Sequence, residues 1–118
     1  MIKDYSFIWQ PTVKEQVAKA RQEFNRITPD IITIQAKVMF VGMGLFETKV
    51  SFLRVTAESD TTLELGMEET RTVMIPISLM KRMGIIKRAN GSKTVTDWLN
   101  TPEGQTWLGF FMMKKERS

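Results

Sequence analysis

Phe40-Val41-Gly42-Met43-Gly44-Leu45-Phe46, FVGMGLF, is the stretch whose reading decides the fold. Two glycines one residue apart either open a loop that cradles phosphate or turn a β-ribbon. A dinucleotide fingerprint needs a third glycine and a helix directly behind it, so that amides point at the pyrophosphate. Here the third slot is Glu47, and the residues that follow alternate as a strand does. The Gly-Lys-Ser/Thr of a Walker loop does not occur anywhere in the chain. The glycines therefore turn or bend a ribbon.

Working outward, Ile32, Ile34, Ala36, Val38 and Phe40 alternate with Thr33, Gln35, Lys37, Met39 and Val41. Beyond the glycines, Phe46, Thr48, Val50 and Phe52 alternate with Leu45, Glu47, Lys49 and Ser51. A period of two on both sides of a turn predicts a long hairpin. If the turn centres at Met43, Phe40 opposes Phe46, Val38 opposes Thr48, Ala36 opposes Val50 and Ile34 opposes Phe52, which makes one core face. The other face then sets Lys37 against Lys49, beside Gln35, Met39, Leu45 and Ser51. A register slipped by two residues keeps that core and separates the lysines. After Phe52 the apolar parity flips to Leu53 and Val55, which predicts a bulge.

The flanks supply further elements. Residues 3–9 alternate as a short strand before Pro11. Thr12 and Glu15 form a capping box, and Val13, Val17, Ala20, Phe24 and Ile27 recur at helical spacing, so an N-terminal amphipathic helix is expected up to Thr28-Pro29-Asp30. Short strands are expected over 62–65 and 70–77. Helical turns are expected over 78–84, with Ser78 as cap and Gly84 as terminator. A strand is expected over 85–88, a turn over 89–92, a short helix over 94–100, a further turn started by Pro102, and a closing strand over 107–115. A chain of 118 residues is one domain's worth. The expected class is mainly β with short helices.

Composition narrows the chemistry. The chain has no cysteine and no histidine, so thiolate and imidazole catalysis and Cys- or His-ligated metal sites are excluded. No cofactor is implied and no catalytic residue stands out. No apolar run approaches the ~18–20 residues that span a bilayer. MIKDYSF lacks the h-region of a secretory signal. A cytoplasmic protein with no membrane partner is expected. The net charge of +4 is uneven: residues 1–80 carry a net of −1 and residues 81–118 a net of +5. Concentrated basic character favours a polyanionic partner.

One enzyme motif calls for a test. Pro29-Asp30 with Glu47-Thr48-Lys49 matches the PD…(D/E)XK pattern of magnesium-dependent nucleases, in which two carboxylates share a metal. On the hairpin register Asp30 lies nine positions along the strand from the residue opposite Glu47, about 30 Å at ~3.3 Å per residue. A shared metal then requires the strand to break early.

A cationic, partly apolar sheet face suits a single nucleic acid strand, because phosphates meet lysines and bases stack on flat or soft side chains. Lys37, Lys49, Arg71, Lys87, Arg88 and Lys93 are the candidate phosphate contacts, the last three lying around the turn KRANGSK. Tyr5, Trp9 and Trp98 are the candidate stacking residues.

A long glycine-interrupted first ribbon, ITIQAKVMFVGMGLFETKVSFLRV, a TRTVMIPISL strand and a small, basic, cysteine-free chain together suggest an OB-fold, in which a glycine or bulge lets one strand serve both sheets of a five-stranded barrel. In these features the chain resembles the small single-stranded-DNA-binding proteins encoded by phages of lactic-acid bacteria. That resemblance implies an OB-like barrel, sequence-independent single-stranded-DNA binding in phage DNA replication and recombination, self-association as a homo-oligomer, and work with recombination proteins. The chain ends in Lys-Lys-Glu-Arg-Ser, not in the acidic tail of bacterial counterparts. Two rival readings stay open: a protein-binding module such as a phage inhibitor or assembly subunit, and the magnesium-dependent nuclease.

Overall fold

The computed structural model describes residues 15, 17–19, 21–22, 28–59, 61–88 and 91–117. The hairpin is its frame. Strand β1 (Ile31–Gly42) pairs antiparallel with β2 (Leu45–Glu58). Met43 and Gly44 alone lie between the paired Gly42 and Leu45, with φ of 53° and 75°. Two successive positive φ values make the mirror-image two-residue turn whose twist matches that of the flanking strands. Gly44 adopts this conformation at no steric cost, whereas Met43 has a Cβ to accommodate.

On its other side β2 pairs with β4 (Glu69–Pro76) along Leu45–Phe52 and with the short β3 (Leu63–Leu65) along Val55–Glu58. Among the described residues these four strands form an open antiparallel sheet with β2 at its centre. Three helices follow: α1 (Ile77–Arg82), α2 (Ser92–Leu99) and α3 (Pro102–Arg117). Of the expected N-terminal helix, residues 15, 17–19 and 21–22 are helical, with Val17 buried. The expected strand over 3–9 and the Thr12 cap lie outside the described residues.

The sheet does not close into a five-stranded barrel, because the expected closing strand is helical. Trp107, Leu108, Phe110, Met112 and Met113 are all buried on α3. An unbroken apolar run carries no period by which to tell strand from helix. The decision lies upstream: Thr101 Oγ1 accepts the amide of Gly104 at 3.1 Å, with Pro102 at the first helical position. This is a side-chain cap followed by a residue with φ already set for a helix. Gly104 and Gly109 let α3 approach its neighbours closely. A Cβ on Gly104 would lie 2.0 Å from the Trp98 carbonyl oxygen, and one on Gly109 2.4 Å from that of Ile31.

Residues 85–88 form bends, not a strand. Helix α1 starts at Ile77 with Pro76 at its cap position, so Ser78 lies inside the helix and does not cap it. Gly84, at φ 77°, terminates it as expected, and the Ile85 amide reaches back to the Met80 carbonyl at 3.0 Å.

The helices cover one face of the sheet. There Ala36, Val38, Phe46, Val50, Phe52, Val73 and Ile75 meet Val95, Trp98, Leu99, Trp107, Leu108 and Phe110 in one core. At ~1.5–3 kcal/mol for each fully buried large aliphatic or aromatic side chain, this layer is the main stabilising term of the fold.

Candidate nucleic-acid interface

The opposite face of the sheet is the candidate site, and the register builds it. Through the middle of the hairpin the pairs are Gln35/Ser51, Ala36/Val50, Lys37/Lys49 and Val38/Thr48. The lysine juxtaposition expected from the sequence is therefore present. Toward either end the register shifts by one, at Ile34 and at Met39. Phe52 consequently faces Thr33, not Ile34, and Phe40 faces Glu47, not Phe46. Beyond Phe52, β2 has an irregularity at Thr56, where its pairing with β3 shifts between Val55 and Ala57, and β1 carries a separate bulge at Ile34.

The shift at Met39 has the larger consequence. It rotates Phe40 out of the core face onto the face of Glu47 and Lys49, where 56% of its surface is exposed. Its ring lies against Gly42: a Cβ there would stand 3.1 Å from Phe40 Cε2. The absent side chain gives the ring a flat seat and leaves its outer side to solvent. Strict alternation from Ile32 places Phe40 in the core. No sequence signal marked Met39 as the extra residue.

Pairing with β4 extends each row by one residue: Thr70/Ser51/Gln35, then Thr72/Lys49/Lys37, then Met74/Glu47/Phe40. The face is thus a band with two adjacent ammonium groups at its centre and an exposed apolar margin of Met39, Phe40 and Met74 toward the turn. Neither lysine makes an ion pair with a described residue. Like charges directly opposed on a sheet repel, and an anion laid across the row relieves that repulsion.

The other candidates are dispersed. Arg71 pairs with Val50 and so points to the helix-covered face. There Arg71 binds Glu116 of α3, and Arg54 binds the same carboxylate through Nη2 at 3.0 Å and Glu69 through Nε at 3.4 Å. Both guanidiniums sit over the Phe52 ring, at 5.7 and 5.6 Å from its centroid. The hydrogen bond from Arg54, reinforced by that from Arg71, holds the Glu116 carboxyl below its ordinary range against the opposing effect of burial. The same contact raises Arg54. Arg71 thus belongs to a clasp between sheet and helix and not to the lysine face.

Lys87 and Arg88 are exposed in the bends after α1. Lys93 is exposed and pairs with Asp97 at 2.9 Å. Thr96, Asn100 and Gln105 bond successively to Val38, Ala36 and Ile34 of β1, so the direction of α2 carries Lys93 toward the Phe40 end of that strand. Trp98 is corrected as a stacking residue: it is 9% exposed and packs against Trp107, ring centroids 5.7 Å apart. Tyr5 and Trp9 lie outside the described residues.

The nuclease pattern does not assemble. The Asp30 carbonyl accepts the Val55 amide, whereas Glu47 lies eight residues back along β2, about 26 Å at ~3.3 Å per residue. Among the described residues no three acidic groups cluster to hold a metal, and no helix is long and apolar enough to cross a membrane. No protein-family model, curated protein or solved structure matches this chain.

Proposed function

We propose that this chain binds single-stranded nucleic acid, DNA in the first instance, along the open face of its sheet, and does so without catalysis. The observation that carries the reading is the Lys37/Lys49 pair, directly opposed and without a described carboxylate partner, beside the exposed ring of Phe40. Two phosphate contacts and a stacking platform within adjacent rows are the parts that sequence-independent strand binding uses. Lys93, Lys87 and Arg88 add positive potential outside this row. The resemblance to small phage proteins points to the same ligand, and with it to a role in phage DNA replication and recombination.

The test is a fluorescence-anisotropy titration with a labelled oligo-dT of about 30 nucleotides, at about 50 and 200 mM salt, with a duplex of equal length as competitor. Salt-sensitive binding that duplex fails to compete away is the expected result. Absence of binding at the lower salt overturns the reading.

A second reading has its own observation. Met39, Met43 and Met74 are exposed close to Phe40, and exposed methionines with an aromatic make an adaptable protein-docking surface. Binding that barely responds to salt, to a protein partner and not to the oligonucleotide, would favour it.

A further inference from the structure

The two edges of the sheet are finished differently. The β1 edge is closed by side chains: Asn100 accepts the Ala36 amide at 3.0 Å and donates to the Ala36 carbonyl at 2.9 Å. Thr96 Oγ1 accepts the Val38 amide at 3.1 Å, and Gln105 donates to the Ile34 carbonyl at 3.1 Å. These groups stand where a neighbouring strand would, and they block further pairing. The β4 edge has no such cover among the described residues. The Ile77 amide donates inward to Gly44. By the alternation of a strand, the main-chain groups of Thr70, Thr72 and Met74 then point outward.

We infer that the β4 edge pairs with the β4 edge of a second copy of this chain, antiparallel about a two-fold axis at Thr72. Three features select that occupant and that centre. Thr70 then faces Met74 of the other copy and Thr72 faces itself, so each outward amide meets a carbonyl. A centre at Arg71 would oppose two arginines, and one at Val73 would place Pro76, which has no amide, in the ladder. Below this edge runs a groove that carries Arg71, Lys115 and Glu116. It holds both signs of charge within a few residues, the self-complementarity that an isologous interface needs.

Resting on the function proposed above, the pairing also has a consequence for ligand binding. Lys37, Lys49 and Thr72 share one row, so joining two copies at Thr72 aligns four lysines across six strands, about 24 Å at ~4.8 Å per strand. One nucleic acid strand then spans both copies.

The dimer is tested without nucleic acid, so that its failure is separate from failure of the binding reading. Sedimentation equilibrium of the full chain is expected to give twice the 13.6 kDa chain mass. Thr72→Lys opposes two like charges at the axis and is expected to weaken the dimer by up to about fivefold, with circular dichroism confirming the fold. Because the chain has no cysteine, Thr72→Cys introduces a single thiol. Opposed residues about 5.5 Å apart suit a disulfide, and mild oxidation is expected to cross-link Thr72→Cys about tenfold faster than a Ser78→Cys control. A monomer at every concentration up to about 100 μM, or equal cross-linking of the two cysteine variants, overturns the inference, whatever the oligonucleotide titration shows.

Discussion

Replacing Lys37 and Lys49 together by glutamine sets binding and stability moving in opposite directions. The two ammonium groups face each other across β1 and β2 with no described carboxylate to relieve them. Opposed like charges cost on the order of 0.2–1 kcal/mol, so the double variant is expected to unfold at slightly higher urea than the parent chain. Binding should weaken at the same time. Each phosphate neutralised on a single strand contributes about 0.7 to the slope of log affinity against log salt, so removing both flattens it by about 1.4. Over a fourfold change in salt, that slope difference is worth roughly a sevenfold factor in affinity. The assay is anisotropy with oligo-dT at three or more salt concentrations, paired with urea denaturation of the same samples. An unchanged slope would remove this face from the binding site. A loss of stability would show that the lysines support the sheet and do not strain it, which refutes the physical premise itself.

Three further outcomes are expected. Phe40→Ala should cost about 1–3 kcal/mol of oligo-dT binding, the worth of one stacked base, with little change in the urea midpoint; Trp98→Ala should instead destabilise the fold by about 3–5 kcal/mol, as denaturation would report. Met43→Asn should stabilise the chain by about 1 kcal/mol, since asparagine tolerates the left-handed conformation imposed at φ 53° better than methionine; a lower thermal midpoint would count against the strain argument. Glu116 is ionised more readily in the fold than its ordinary value of 4.5, so the unfolded chain binds the proton first. Its stabilising contribution is therefore complete above about pH 5 and lost as pH falls through the lowered folded value. Glu116→Gln should lack that part of the acid limb, and identical pH profiles for the two proteins would refute the assignment.

How much of this was legible without the structure varies from element to element. The hairpin was, because alternation over 31–41 and 45–52 leaves the chain few other ways to bury one face. The turn was legible only in place: it centres between Met43 and Gly44, not on Met43, and its register carried along the ribbon would set Lys37 opposite Val50, so Lys37 meets Lys49 only because the Met39 bulge shifts the pairing by one. Tertiary packing decided the rest. The run from Trp107 to Met113 is apolar at nearly every position and becomes a helix through the Thr101 cap and its seat on the sheet. Single-residue bulges at Ile34 and Met39 leave the composition of β1 unchanged, yet the second transfers Phe40 from the core to the solvent face. Arg71 reads as one more cation until its pairing with Val50 turns it toward Glu116.

The sequence by itself thus determined a β-ribbon turned at the glycines with one apolar face, because side-chain period and turn chemistry are local, whereas the bulge that sets Lys37 against Lys49 was not encoded in that period. Which face the helices cover, which aromatic remains exposed and which sheet edge is closed were decided only by the tertiary structure. Those outcomes depend on contacts between residues as far apart as Ala36 and Asn100, and no local pattern encodes them.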